Sequence, residues 1–369
     1  MNILLIKCAG LGDVLRTTAL LPALRARTPQ ARFWWRTSPQ ALPLLEGNPL
    51  LTGAFASDEL PAALGNERFE LVLSLEEDEH CAALRTTLPH AHWVGVTPGE
   101  AGTLSFTQDS AAYYGMSLLA RDADGGHAAA DALKRENRDS FEALWCKILG
   151  LDEKLARPSL NLHASDRTRA MRLAHEKGFL DLRLRIGLSP GAGTRWPAKR
   201  LPEETTLSLA KGIREKWGVP ALLLGGPEEA AEHERLAERS QGALLPVGGL
   251  DLRTFAAVVE LCHAAVTTDS LTLHAANALR VPTLALFGPT SPHEIRLGRG
   301  IKREPEGGCA CFYRPRCTLA APEQTSDAAL PVGKRVPQAA PCMARFSIPA
   351  LLSDLEALLC ALPSGARQP

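Results

Sequence analysis

Short apolar runs alternate with amphipathic stretches along most of the chain. Residues 3–6 form such a run, residues 14–27 repeat their apolar positions with helical spacing, and residues 32–36 form the next run. Strands that are apolar on both faces, joined by helices, are typical of βαβ units in a mostly parallel sheet. The pattern therefore predicts the α/β class.

The same alternation starts again after residue 160. A predicted helix over 140–149 ends at Gly150, and polar residues near Pro158 follow it. We therefore expect two domains, which agrees with roughly 150 residues per domain in a chain of 369. The predicted parts are 1–160, then 161–345 with a Cys-rich segment over 305–345, and a terminal helix and tail over 346–369. Predicted strands of the second domain cover 185–188, 220–224, 264–267 and 282–287, and predicted helices cover 202–217, 228–239, 255–262 and 270–279.

Composition and charge exclude several classes of protein. Apolar residues make up 45% and charged residues 22%, which excludes disordered, collagenous and coiled-coil chains. The 41 basic and 41 acidic residues cancel, so nucleic acid is not expected as a partner. Residues 1–160 carry 15 Lys and Arg against 20 Asp and Glu, and the acidic run over 76–79 is interpreted as a solvated helix start.

The chain has neither a membrane-spanning run nor a leader pattern. Its apolar runs are shorter than the roughly 18 to 20 residues that span a bilayer, and no basic n-region precedes the first strand. We expect a soluble, cytoplasmic protein with at most peripheral membrane contact.

The first candidate loop, residues 7–14, separates the first strand from the first helix. Its glycines allow a close backbone approach, but the spacing matches neither G-x-G-x-x-G nor the Walker A sequence. Asp13 lies at the expected N-cap of the helix, and composition alone favours that role. The alternative is a general base that takes a proton from an attacking hydroxyl.

Two further loops suit an anion. Residues 189–200 combine small residues and Thr194 with Arg195, Lys199 and Arg200, although a solvated basic loop fits equally well. In residues 267–274 a buried strand turns directly into a helix, so the N–H groups of residues 270–272 face outward at its positive end. Asp269 either caps that helix or faces a sugar hydroxyl, and His274 is expected to be a phosphate or structural contact.

Together, the motifs resemble glycosyltransferase family 9, the ADP-heptose heptosyltransferases. The resemblance extends over residues 1 to about 295, and its order and spacing are more specific than any one motif. The residues that carry it are Leu11-Gly12-Asp13-Val14, Leu21-Pro22-Ala23-Leu24, Pro190-Gly191-Ala192, Ala198-Lys199-Arg200-Leu201-Pro202, Gly225-Gly226-Pro227-Glu228-Glu229, Thr268-Asp269-Ser270 and Phe287-Gly288-Pro289-Thr290-Ser291-Pro292.

The resemblance implies a GT-B fold, in which two Rossmann-like domains face each other across a cleft. It implies inverting, metal-independent transfer of a heptose or similar sugar from ADP-heptose to a lipopolysaccharide-core, other glycan or protein acceptor. Asp13 corresponds to the family's general base, with Gly10, Gly12 and Arg16 on the acceptor side, and Lys199 corresponds to a catalytic and donor-binding lysine. The other implied donor-binding residues are Thr194, Glu229 or its neighbour Glu228, Asp269, Ser270, Leu271, Thr272 and His274.

Four cysteines depart from the motifs of that family. Cys309, Cys311, Cys317 and Cys342 form C-x-C-x5-C-x24-C in a segment without periodicity. Four thiolates suffice for a tetrahedral Zn²⁺ or Fe site, which we favour over a disulfide or unligated thiols because the segment has little else to hold it. No cofactor is expected for catalysis.

Two other functions remain open from the sequence. One is a non-catalytic, metal-stabilised nucleotide-binding module of the same fold, and the other is a nucleotide-sugar epimerase. The acceptor is open as well, because the first predicted domain has a net charge of −5, which favours a neutral glycan or a protein as much as an anionic lipopolysaccharide core.

Overall fold

The computed structural model describes residues 1–56, 68–121, 126–193, 195–309, 312–314, 317, 319 and 339–361. The chain forms two compact units. The first contains Met1–Asn161 and His293–Arg296, and the second contains Leu162–Pro292 and Leu297–Pro369.

The first unit is built on a six-stranded sheet with the order β3-β2-β1-β4-β5-β6. All neighbouring strands are parallel except β5 and β6, which are antiparallel. The strands are β1 (Asn2–Ile6), β2 (Arg32–Arg36), β3 (Gly53–Phe55), β4 (Phe69–Ser74), β5 (His90–Pro98) and β6 (Leu104–Phe106). The described helices are α1 (Leu11–Thr17), α2 (Leu20–Arg27), α3 (Glu79–Thr87), α4 (Ala111–Tyr114), α5 (Leu118–Arg121), α6 (Gly126–Glu136) and α7 (Phe141–Leu149).

The second unit has a fully parallel six-stranded sheet with the order β12-β11-β10-β7-β8-β9. The strands are β7 (Ile186–Ser189), β8 (Ala221–Leu223), β9 (Leu244–Pro246), β10 (Ala264–Thr268), β11 (Thr283–Leu286) and β12 (Gly300–Arg303). The described helices are α8 (Ala164–Glu176), α9 (Glu203–Trp217), α10 (Ala230–Arg239), α11 (Leu252–Leu261), α12 (Leu271–Ala278) and α13 (Ile348–Cys360).

Both sheets have the strand order of a Rossmann-like fold. Each starts in the middle, runs to one edge, returns to the middle and then continues to the other edge. The direction of winding changes between β1 and β4 in the first unit and between β7 and β10 in the second. In open α/β sheets, ligands bind beyond the carboxyl ends of the strands at this reversal. The α/β class and the two Rossmann-like sheets of a GT-B protein are confirmed.

The helix predicted over 14–27 is wrong in one respect, because it is two helices. Pro22 has no N–H group to donate to the carbonyl of Thr18, so the hydrogen-bonded ladder cannot continue through this turn. The Thr18 hydroxyl accepts the N–H group of Ser159 at 3.0 Å, and the Ala19 carbonyl accepts that of Arg157 at 3.1 Å. The break thus anchors the end of the first unit against its first two helices.

A short segment from late in the chain belongs to the first unit. Glu294 forms a buried ion pair with Lys134 of α6. Arg296 donates hydrogen bonds to the carbonyl oxygens of Glu153 and Ala156, both at 2.8 Å. These contacts explain why His293–Arg296 is part of the first unit although the flanking residues are not.

Among the described residues, no helix combines the length and apolar content needed to cross a membrane.

Candidate functional site

Two loops of the second unit meet where its strand order reverses. Lys199 ends a 3₁₀ turn, Pro197–Lys199, beyond the end of β7, and Asp269 directly follows β10. Because β7 and β10 are parallel neighbours, their carboxyl ends lie side by side. Lys199 Nζ donates a hydrogen bond to Asp269 Oδ2 at 2.7 Å. Two residues 70 positions apart are thus joined in one ion pair at the expected ligand edge.

Asp269 is held as a carboxylate. Burial opposes its ionisation, but the Lys199 ammonium and the His274 ring lower the pKa of Asp269 well below its usual range. His274 Nε2 lies 3.7 Å from Asp269 Oδ1. Asp269 does not cap α12: the N-cap is Ser270, whose side chain makes no capping hydrogen bond to the backbone. The cap role considered from the sequence is therefore wrong, and the contact with a sugar hydroxyl stays a prediction.

Threonine side chains fix the two loops to each other. Thr268 Oγ1 donates to the Gly191 carbonyl at 2.6 Å, and Thr272 Oγ1 donates to Ser189 Oγ at 2.9 Å. Thr272 is buried in the first turn of α12, next to Leu271, where the backbone N–H groups lack partners within the helix. The loop geometry at this helix start is therefore set by buried bonds.

Glu229 packs against the glycines of two neighbouring loops. A Cβ atom at Gly191 or Gly225 would collide with its carboxylate, and Gly226 N donates to Glu229 Oε2 at 2.9 Å. Burial raises the pKa of Glu229, and the Gly226 hydrogen bond and the Arg200 charge oppose that shift. Glu229 Oε1 is buried without a hydrogen-bond partner in the described structure. Glu228 is exposed, so Glu229 is the member of this pair that faces the loops.

The three cations of the 189–200 loop have different surroundings. Arg195 is exposed, whereas Arg200 is buried and hydrogen-bonded to Glu232. Lys199 Nζ lies 5.0 Å from the centroid of the Trp196 ring, within the range of a cation–π contact. Thr194 lies outside the described residues. The Arg200–Glu232 pair was not predicted, because its partner comes from a later helix.

In the first unit, the prediction that Asp13 caps the first helix is wrong. α1 begins at Leu11, and its N-cap is Gly10, which has the left-handed φ of 73° that glycine adopts readily. Asp13 is therefore the third helical residue, with Gly12 before it. Arg16 donates to Asp13 Oδ1 at 2.8 Å, and the Asp13 side chain is 36% exposed. The Arg16 guanidinium also lies 4.4 Å from the Phe141 ring centroid.

Glu76 is a buried residue that the sequence interpretation placed in solvent. Asp78 does cap α3, as a helix start requires, but Glu76 is only 4% exposed. Its Oε2 atom accepts the N–H groups of Cys8 and Ala9, both at 2.7 Å. It also lies 3.2 Å from Lys7 Nζ. β1 and β4 are neighbouring strands, so Glu76 after β4 lies beside the residues that follow β1. Its hydrogen bonds fix the start of the Gly10 loop, and sequence spacing does not reveal this contact.

Cys342 lies near two of the other clustered cysteines, Cys309 and Cys317. Interaction with Cys309, burial and the nearby Cys317 together raise the pKa of Cys342. Cys311 lies outside the described residues. Within the part of the chain that is described, no group of three or more His, Cys, Asp or Glu side chains is arranged to hold a metal ion.

A family model described as "Glycosyltransferase family 9 (heptosyltransferase)" matches residues 59–304. Lipopolysaccharide heptosyltransferase 2 of Escherichia coli is 28% identical over 79% of this chain and 84% of its own length. Lipopolysaccharide heptosyltransferase 1 of Pseudomonas aeruginosa is 35% identical, but that match spans 33% of this chain and 37% of the relative.

Solved structures agree on the fold. The E. coli ADP-heptose lipopolysaccharide heptosyltransferase II has a TM-score of 0.63 and 20% identity, with 98% of this chain and 99% of that chain covered. The iron-containing dodecameric glycosyltransferase TibC of enterotoxigenic E. coli has a TM-score of 0.53 and 14% identity, with 98% and 76% covered. Both similarities concern the fold.

Proposed function

Because the chain belongs to glycosyltransferase family 9, the heptosyltransferases, we propose that its two units carry out heptosyl transfer with separate tasks. The protein is a glycosyltransferase enzyme. We propose ADP-heptose as the donor and a lipopolysaccharide core as the acceptor, which are the compounds named for its relatives. The proposed transfer inverts the anomeric carbon, needs no catalytic metal and takes place in the cytoplasm, where thiols stay reduced.

The observation that carries this proposal is the Lys199–Asp269 pair at the strand-order reversal of the second unit. Attack on the anomeric carbon expels a nucleoside diphosphate, so negative charge grows on the leaving phosphate. The Lys199 ammonium and the N–H groups at the start of α12, at Ser270 to Thr272, offset this charge in fixed positions. Asp269 orients Lys199 and accepts a hydrogen bond from the donor sugar, while His274 contacts the diphosphate.

We assign the ribose of the donor to Glu229. Its Oε1 atom is a buried acceptor without a hydrogen-bond partner in the described structure, which is the kind of group that a ligand hydroxyl satisfies. The glycines at 191 and 225 leave room for this carboxylate, and the same small residues allow a nucleotide to approach the backbone closely.

The first unit provides the general base. Asp13 is partly exposed at the reversal point of its own sheet, and Arg16 donates a hydrogen bond to its Oδ1 atom. A carboxylate in this position can take the proton of an acceptor hydroxyl. Gly10 and Gly12 keep the backbone around it compact, and Arg16 fixes the orientation of the carboxylate. We propose that Asp13 deprotonates the attacking hydroxyl during transfer.

We further propose that Cys309, Cys311, Cys317 and Cys342 bind one structural Zn or Fe ion. The support is that Cys342 lies near both Cys309 and Cys317, since four thiolates form a tetrahedral site. The metal has no role in the transfer step. It holds a segment whose apolar residues follow no helical or strand periodicity.

Product analysis tests the proposed reaction. The full chain is incubated with ADP-heptose with and without a lipopolysaccharide core acceptor, and the release of ADP and the mass of the acceptor are followed. We expect ADP release and an acceptor heavier by one heptose, only when acceptor is present. Conversion of the nucleotide sugar without acceptor would indicate an epimerase, and binding without any consumption would indicate a nucleotide-binding module. Either result would overturn the proposal.

A further inference from the structure

Two cysteine thiols lie together beside the first loop of the first unit. Cys8 is two residues after the end of β1, and Cys81 is in the first turn of α3. Their Sγ atoms are 3.7 Å apart. Cys81 is buried, whereas Cys8 is half-buried. Neither thiol has a role in the transfer reaction described above.

An arginine faces both sulfur atoms. Arg36 Nη1, at the end of β2, donates to Cys81 Sγ at 2.9 Å and lies 3.5 Å from Cys8 Sγ. Positive charge beside a thiol favours the thiolate, which is the reactive form. The hydrogen bond with Cys81 and the Arg36 charge lower the pKa of Cys8 against burial and Glu76, whereas Cys8 and burial raise the pKa of Cys81. Cys8 is the less buried of the two thiols, so we assign it as the nucleophile and Cys81 as the thiol in contact with it.

We propose that Cys8 and Cys81 are a redox-active pair that hydrogen peroxide oxidises to a disulfide. The Cys8 thiolate attacks one peroxide oxygen, so an S–O bond forms, the O–O bond breaks and hydroxide leaves. Cys81 then gives its proton to this hydroxide, which becomes water, and attacks the Cys8 sulfur, so the S–S bond forms, the S–O bond breaks and a second hydroxide leaves. The second hydroxide takes up the proton that Cys8 released when it ionised. The two sulfurs supply two electrons, and one peroxide becomes two molecules of water.

The geometry permits this closure with small movements. A disulfide needs about 2.05 Å between sulfurs, so the two atoms must approach by somewhat less than 2 Å. Cys8 lies between β1 and α1 and is not part of a helix or strand. Cys146 and Cys262 lack such a partner in the described structure, and burial raises their pKa values to about 11 and about 12. They serve as internal reference thiols of low reactivity.

Closure should also disturb the loop that precedes α1, the helix of Asp13. The Cys8 N–H group is bonded to Glu76, and movement of Cys8 toward α3 strains this contact two residues before Gly10. We therefore expect oxidation to lower the transfer rate reversibly. This consequence depends on the proposed function, whereas the disulfide itself is detected without any activity measurement.

The test is peroxide treatment of the reduced full chain, followed by thiol blocking and peptide mapping without reductant. We expect a Cys8–Cys81 linked peptide that forms at least about tenfold faster than any oxidation of Cys146 or Cys262. Cys81→Ser should instead accumulate sulfenic acid at Cys8, trapped by dimedone, and the control Cys262→Ser should form the linked peptide normally. Oxidation of the exposed Cys360 while Cys8 and Cys81 both remain thiols would overturn the proposal. If the disulfide-linked protein has the transfer rate of the reduced protein, and reductant does not change that rate, the proposed effect on the loop is wrong.

Discussion

Lys199 Nζ and Asp269 Oδ2 lie 2.7 Å apart, on loops that follow two neighbouring parallel strands of the second unit. The ion pair has side-chain exposures of 15% and 11%, so solvent screens it poorly. An incoming diphosphate therefore meets an ammonium that is already held in place by a carboxylate. Such fixed charge needs little rearrangement during reaction, which is the physical basis of the donor role that we assign to it.

Replacing Lys199 by Ala should impair both function and folding. We expect transfer to fall by about 10²- to 10³-fold, as with loss of one preorganised donor. Asp269 would remain as a buried carboxylate without its ammonium, which destabilises the folded state by about 3–5 kcal/mol. Initial rates and urea unfolding measure the two effects.

Lys216→Ala is the matched control for that experiment. Lys216 pairs with Glu356 at the same 2.7 Å, but the two side chains are 32% and 51% exposed. Its loss should cost about 0–1 kcal/mol and leave transfer unchanged. The double variant Lys199→Ala with Asp269→Asn should regain stability without regaining transfer. Equal effects of the Lys199 and Lys216 substitutions would contradict the buried-pair account.

Gly10→Ala should reduce transfer more than it reduces stability. Gly10 has φ 73°, and a Cβ atom there would lie 2.5 Å from Asp13 Oδ2, so the carboxylate must move. The left-handed backbone alone costs a side chain about 1–2 kcal/mol. Gly102→Ala is the control, because its φ is 81° and no atom lies within 4 Å of the added Cβ. The two substitutions should lower the melting temperature by similar amounts, whereas only Gly10→Ala should lower the transfer rate. A fully active Gly10→Ala enzyme would show that the position of Asp13 is not critical.

The fold was largely predictable from the sequence because its strands are short apolar runs bounded by small residues. Two features escaped prediction, one for a local reason and one because its partner lies far away in the chain. The predicted first helix is broken because Pro22 lacks an N–H group. This local signal was present in the sequence, but the prediction followed the helical spacing of the apolar residues instead. Segment 293–296 belongs to the first unit through the Lys134–Glu294 pair, and two residues 160 positions apart leave no local pattern.

The candidate site was predictable to a similar extent. Lys199 and Asp269 each lie in a glycine- or threonine-rich loop after an apolar strand. The sequence therefore singles out both residues, and the structure brings them together. Glu76 was missed because an acidic run before a helix is usually solvated, whereas here the adjacent end of β1 presents two N–H groups to it. The Asp13 cap was wrong for a conformational reason: Gly10 takes the cap position by adopting a left-handed backbone, which moves the helix start two residues earlier than Asp13.

His233 should make stability depend on pH in the acidic range. Burial lowers the pKa of His233 to about 4, and Glu232 opposes this effect. In the unfolded chain, His233 binds a proton near pH 6.5. The stabilisation from burying neutral His233 is therefore complete above that pH and is lost as pH falls toward 4. The total change is about 3 kcal/mol at 1.36 kcal/mol per pKa unit. Urea unfolding at several pH values gives the free energy of unfolding as a function of pH. This free energy should change less steeply with pH in His233→Gln, whereas the control His92→Gln, at an exposed position, should keep the pH dependence of the unsubstituted protein. An unchanged slope in His233→Gln would contradict the assignment.

Elemental analysis tests the proposed cysteine site. Protein purified without a metal affinity step should contain about one Zn or Fe per chain, because four thiolates complete a tetrahedral shell. Cys309→Ser should lose most of the metal and unfold at a lower temperature, while Cys360→Ser, at an exposed position, should retain both properties. A folded, metal-free preparation of the unsubstituted chain would exclude a structural metal.

The most direct test of the transfer mechanism is Asp13→Asn, measured by product formation and by calorimetry of donor binding. The substitution removes the negative charge and the basic oxygen with almost no change in volume, and Asp109→Asn, at an exposed side chain in the same unit, is the control. We predict that Asp13→Asn loses transfer by at least about 10²-fold, since general base catalysis contributes typically 10²–10⁴-fold, while ADP-heptose binds with unchanged affinity. Normal turnover by Asp13→Asn would contradict the assignment of Asp13 as the base.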